Sequence, residues 1–151
     1  MAVPSGPLNG TDVTVFSGSN EIIAYGTSCT VNITQEPRDR THKNSGGWRK
    51  ITEGLRSWTI DIEGLYAWAN SSGSVLTNGI DDIFSSYITP DRTSRGELTV
   101  KFGTNDSDTG DTYYSGTIWV NSITLSAGTE DNATYSLSGE GDGEITVTVA
   151  S

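Results

Sequence analysis

SGGWRKITEGLRSWTIDIEGL, residues 45–65, decides how the chain folds. It opens on Gly46-Gly47 and Trp48, passes through a short polar strand, turns at Gly54 and enters a regular alternation. Leu55, Trp58, Ile60 and Ile62 are apolar, while Thr59, Asp61 and Glu63 between the last three are polar. A period of two over that length gives a strand with one face on a core and one in water. Trp58, Ile60 and Ile62 are the expected core contacts of this strand. The paired glycines free the backbone for a sharp entry that a Cβ would resist.

Upstream, residues 12–16 and 21–25 are short β-prone runs joined by the turn-rich SGSN. Residues 28–35 alternate again, with Cys29, Val31 and Ile33 inward. Three successive strands are therefore expected before residue 36. Residues 36–47 (EPRDRTHKNSGG) contain no apolar residue except Pro37, and a long charged loop between two strands implies a task. That task is read as docking onto another subunit. Residues 1–10 (MAVPSGPLNG) read as a Pro/Gly-rich irregular arm, either loose or ordered only against a neighbour.

Downstream comes the one expected helix, capped by Asn78 with Asp81 reaching back and ended by Pro90. Ile80, Ile83, Phe84 and Tyr87 fall at i, i+3, i+4 and i+7, a stripe facing a sheet, with Ile83 and Phe84 as its core contacts. Residues 95–102 and 112–127 alternate as strands, the second slipping by one at Asn121-Ser122, which signals a β-bulge. Residues 132–139 and 144–149 read as two more strands, joined by a type I′ turn at Asp142-Gly143. The fold class is mainly β: an antiparallel β-sandwich or barrel with one flanking α-helix and a long charged loop.

The chain has 151 residues, enough for one domain with a proper core. Its 19 acidic residues outnumber the 9 basic ones, a net charge of −10 that opposes a nucleic-acid grip. Six of the nine cations (Arg38, Arg40, Lys43, Arg49, Lys50, Arg56) lie in one short window. No Lys or Arg follows Lys101, whereas eight acidic residues do. A chain so polarised can complement a second copy of itself head to tail. One cysteine excludes an internal disulfide and fits folding in a reducing compartment, and Cys29 is read as a small core residue. Residues 1–10 have neither a basic start nor an apolar run, so no secretory leader is expected, and no segment reaches membrane-spanning length.

Chemistry is sparse. No nucleophile elbow, phosphate loop, dinucleotide-binding glycine pattern or His/Cys cluster occurs, so neither an enzyme nor a cofactor is expected. His42 stands alone in the charged loop without metal ligands at suitable spacing. Asp106, Asp108 and Asp111 echo a calcium loop but lack its bidentate Glu. The five Asn-x-Ser/Thr triplets are read as chance in an Asn/Ser/Thr-rich chain. Exposed tryptophans leave one alternative function, a carbohydrate- or surface-binding β-sandwich module, which predicts a glycan-array signal lost in Trp68→Ala.

Four segments, in order, resemble the major tail tube proteins of long-tailed bacteriophages, the lactococcal-type family shared with gene transfer agents. They are NGTDV (9–13), AYGTSCTVNI (24–33), the SGGWRK…GLRSWTIDIEGL block, and AGTEDNATYSLSGEGDG (127–143). The resemblance implies a single β-sandwich domain over 11–151 that assembles as stacked hexameric rings, strands from six subunits merging into an inner barrel. It implies a tube around a tape-measure protein, bounded by tail terminator and baseplate or tip proteins. DNA passes through transiently and non-specifically, without a membrane partner. The location implied is the virion tail, assembled in the bacterial host cytoplasm. Residues 36–47 then become the inter-ring loop, with Arg38, Asp39, Arg40, Lys43, Gly46, Gly47 and Trp48 as interface candidates, and the acidic excess becomes a lumen lining. The chain departs from a typical member in its proline-bearing arm and its basic loop.

Overall fold

The computed structural model describes residues 13–17, 26–66, 80–88, 97–104 and 112–149. Among these are eight strands: β1 (Val13–Ser17), β2 (Gly26–Gln35), β3 (Arg38–Asp39), β4 (Ile51–Thr52), β5 (Arg56–Leu65), β6 (Glu97–Thr104), β7 (Thr112–Ser126) and β8 (Thr134–Val149). One α-helix, α1 (Ile80–Ile88), lies between β5 and β6. The arm at 1–10, the strand expected at 21–25, the Asn78 cap, Pro90 and residues 105–111 of the acidic turn lie outside the described residues.

Six strands form one antiparallel sheet in the order β1-β6-β7-β8-β5-β2, while β3 and β4 pair separately. The sheet curls until Cα atoms of its two edge strands, β1 and β2, come within 8 Å. The concave face holds the core. Val15, Val100, Ile118, Val120, Tyr135, Leu137, Trp58, Ile60 and Ile62 are buried there, and Cys29, Val31 and Phe102 are partly buried against them. The helix adds Ile83, which is buried, and Phe84, which is half-buried. Alternation in β5 is carried through from sequence: Trp58, Ile60, Ile62 and Gly64 face in, Asp61 and Glu63 out. Leu55 lies outside this pattern, before the strand begins, and is 73% exposed.

Two irregularities shape the long β7–β8 pair. Between Val120↔Gly139 and Ser122↔Ser138, Asn121 is one residue too many, the bulge legible in the slipped alternation. Tyr87 of α1 donates its hydroxyl to the Asn121 carbonyl at 3.0 Å, so the helix braces the bend.

The second irregularity corrects the hairpin expected at Asp142-Gly143. β8 runs unbroken through this pair as a single strand of 16 residues. Ser115 pairs with Thr146 and Thr117 with Asp142, so Gly116 alone faces residues 143–145. Gly143 takes φ +83°, as a type I′ turn would require, but here it opens a wide bulge. Trp58 locks it. Its indole lies across Gly116 and Gly141, where a Cβ on Gly116 would stand 2.5 Å from the ring and one on Gly141 would fall inside it. The indole N–H donates to the Gly143 carbonyl at 3.1 Å.

Candidate functional site

Residues 38–52 leave the sheet as an arm between β2 and β5. The root is set by Gln35 opposite Arg56 and by Glu36 N–H donating to the Leu55 carbonyl at 2.9 Å. Where the sequence reads as an irregular loop, the chain makes a small hairpin. Arg38 faces Thr52, Asp39 faces Ile51, and Arg40 N–H donates to the Lys50 carbonyl at 2.8 Å. Thr41 continues the ladder with its side chain: Lys50 N–H donates to Oγ1 at 3.0 Å. At the tip a single 3₁₀ turn (Lys43–Ser45) is capped by His42, whose Nδ1 accepts from Asn44 N–H at 3.2 Å. Ser45 is buried and returns the contact, its Oγ accepting from His42 N–H at 3.0 Å. Gly46 and Gly47 follow at φ +66° and +81°, values that let the chain reverse into Trp48.

This hairpin is held by backbone and short polar side chains, so its long side chains point into solvent. Trp48 is 79% exposed and Ile51 61% exposed. Arg49 sits 3.7 Å from Asp39 and Arg56 3.3 Å from Glu53. Arg38, Arg40, Lys43 and Lys50 make no ion pair with a described residue. The Thr41 hydroxyl first, then the Thr41 N–H that donates to the Asp39 carboxylate at 2.7 Å, and last the nearby Arg49 hold the Asp39 pKa below the usual 3.8. A lowered folded pKa gives support that is present above 3.8 and fades as the pH falls through the folded value. Acidification through that lowered value is therefore expected to reduce the protection factor of Thr41 N–H, measured against its intrinsic exchange rate at each pH, while the core amides of β5 stay protected.

The convex face of the sheet is polar and acidic. Asp61, Glu63, Glu97, Glu140 and Asp142 are exposed. Lys101, placed over the Tyr113 ring at 5.5 Å, is the one cation among the described residues of this face. Ser138 donates to Asp61 at 2.6 Å, and Trp119, 41% exposed, donates its indole N–H to Asp142 at 3.1 Å. Backbone edges are incomplete. Among the described residues, β7 has no β6 partner after Trp119, β8 has no β5 partner after Glu140, and β2 pairs with β5 alone. Val147 and Val149 stand exposed at the end of β8. Sequence reasoning missed this overhang because β8 was divided in two at Gly143. Triplet glycines at 139, 141 and 143 opposite a tryptophan strand were the available signal.

Among the described residues the geometry assembles no reaction centre. Burial pushes the Cys29 thiol up to about 12, Asp61 adding to the shift, which removes it as a nucleophile at neutral pH. Ellman's reagent is expected to label Cys29 far more slowly than the thiol of the urea-unfolded chain; equal labelling rates at pH 8 would contradict its half-buried position. Among the described residues no three His, Cys, Asp or Glu side chains converge as metal ligands. No helix among them is long and apolar enough to cross a membrane.

Comparison with known proteins bears on these surfaces. The family model described as phage tail tube protein matches residues 17–147. A chain of the virion of a native gene transfer agent particle superposes with a TM-score of 0.71 at 19% identity, covering 95% of this chain and 100% of that one. A second, from the tail of an empty gene transfer agent particle refined with C6 symmetry, gives 0.67 at 18% identity, covering 95% and 100%. The SPP1 tail tube gives 0.69 at 12% identity, covering 95% and 80%. No curated protein matches the sequence.

Proposed function

The chain belongs to the phage tail tube protein family, and from that premise we propose that it builds a tube of stacked hexameric rings through which DNA leaves the particle. The observation that carries this reading is the incomplete sheet together with the projecting arm. Among the described residues, β2 and the end of β7 have no ladder partner on their outer sides, at opposite sides of the sheet, and unpaired edges of this length are a liability in a solitary chain. In the order β7-β8-β5-β2, β7 and β2 run in opposite directions, so β2 of one subunit can continue antiparallel into β7 of the next. Six such junctions close a barrel and leave no edge. The C6 symmetry of a tail with this fold supports the count.

Within that barrel the acidic convex face becomes the lumen wall. Carboxylates offer phosphates no counterion partner, so DNA slides without being held. A tape-measure protein would fill the tube before DNA, and terminator and baseplate or tip proteins would close its ends. Arg38, Asp39, Arg40, Lys43, Gly46, Gly47 and Trp48 form the contact between rings, and the work is done in the host cytoplasm before the tail joins the virion. No catalytic role belongs to this assembly.

Negative-stain microscopy and native mass spectrometry of the concentrated protein test the reading. Rings of six and tubes are expected; monomers alone at every concentration would overturn it. Reversing Glu63, Glu97 and Glu140 to Lys is expected to leave tubes intact but make them retain DNA on a filter. That retention should fall steeply with salt, by a log–log slope of about −0.9 for each phosphate engaged. The exposed Trp119 beside Glu140 and Asp142 favours the sugar-binding module as the second reading. A flat glycan array removes it.

A further inference from the structure

The tube reading leaves open what receives the arm, and the fold's own polarity answers this. β2 and β5 join the arm at Gln35↔Arg56. At the far end of β5, Leu65 pairs with Thr134, Thr134 also pairs with Ser126, and Tyr66 N–H donates to the Ala133 carbonyl at 2.8 Å. The turn at 127–133 is thus fastened to the end of the sheet opposite the arm. The 10 residues of β5 separate them, about 30 Å at strand rise.

Among the described residues the two ends are opposite in charge. The arm carries Arg40 and Lys50 without a described acidic partner, and the turn carries Glu130 and Asp131 without a described cationic one. Both ends also expose apolar surface: Trp48 and Ile51 on the arm, Leu65 and Leu125 beside the turn, 37% and 43% exposed. Glu130 takes φ +71°, a left-handed conformation uncommon for a residue with a Cβ and concentrated at functional positions.

We propose that the 127–133 turn of a second copy, in the adjacent ring, is the acceptor of the 38–52 arm. This rests on the tube reading above and adds the partner surface to it. Arm meeting arm, or turn meeting turn, would set like charges together, whereas arm meeting turn pairs opposite ones. Two different patches on one chain make a heterologous contact, which does not close on itself and repeats along an axis. Stacking is then polar, every arm pointing the same way.

The test is a charge swap in the full chain. Arg40→Glu with Lys50→Glu, and separately Glu130→Lys with Asp131→Lys, are each expected to cut sedimentable tube mass by about a hundredfold, as like charges meet across a partly buried contact. Native mass spectrometry should still show rings of six in both. Combining all four changes is expected to bring tube mass back to within about tenfold of the unmodified chain. The acceptor assignment fails if the reversed turn polymerises normally, or if the four-fold variant does no better than its parents. If the unmodified chain forms no rings or tubes, the tube reading itself has failed. Should the reversed turn not fold, by circular dichroism, Glu130→Gln with Asp131→Asn takes its place, with a smaller loss expected and an unchanged yield counted against the assignment.

Discussion

Trp58→Ala is expected to lower the unfolding free energy by about 3–5 kcal/mol, the range for truncating a buried aromatic in a packed core. Natural domains hold only about 5–15 kcal/mol in total, so much of the population at 37 °C should be unfolded. The side chain is 5% exposed and spans β5, β7 and β8, filling space that Gly116 and Gly141 leave empty. Its removal opens a cavity and orphans the Gly143 carbonyl, which accepts from the indole at 3.1 Å. Trp58→Phe should cost less, because the volume is mostly retained and the loss is chiefly that hydrogen bond, about 1 kcal/mol. The reciprocal change is Gly141→Ala. Its methyl group would occupy the ring, and overpacking of this kind costs about 1–3 kcal/mol. Urea midpoints decide the matter: an unmoved midpoint for Gly141→Ala would mean that Trp58 does not lie where the fold has it. Trp119→Ala, on the convex face, is the control and should shift stability little.

Reversal of Arg38, Arg40 and Lys43 to Glu gives the complementary phenotype, a stable chain that does not elongate. Thermal unfolding should be nearly unchanged, because all three side chains are exposed and none pairs with a described acid. Substitutions at such positions usually stay within about 0.5 kcal/mol. Tube length, however, should collapse to single rings or short stacks, since in the proposed ring of six the three reversals are repeated in every subunit. Electron microscopy at matched concentration measures the outcome. Tubes of ordinary length from this variant would remove the arm's charge from the assembly mechanism.

Most of the architecture was legible because it is written in period two. The strand at Arg56–Leu65 and the slip at Asn121 follow from alternation alone, since a core on one face forces apolar residues to every second position. The misreading at Asp142-Gly143 has an equally physical cause. A type I′ turn and this bulge both need positive φ at glycine, and what separates them is the partner strand, distant in sequence. The arm was hidden for another reason. Its ladder uses Thr41, Asp39, His42 and Ser45 to satisfy backbone groups, and no apolar rhythm announces such a hairpin. Charge marked the segment as a candidate contact, while the acceptor proposed for it depends on which turn the register places at the other end. Ile33 keeps the inward parity of β2 but is 58% exposed, near the end of the strand where the arm leaves the sheet.

The composition of that edge has a kinetic consequence. β2 reads GTSCTVNITQ, so the border offered to a passing chain is largely hydroxyl and amide, groups that water solvates well. A single encounter along such a border gains little, and the gain becomes decisive only when closure of the proposed ring satisfies every subunit at once. Growth should therefore begin with a lag and a critical concentration, then shorten sharply when preformed rings are added as seeds. A cell could hold a large store of free subunits in reserve and commit them all when the first ring is laid down.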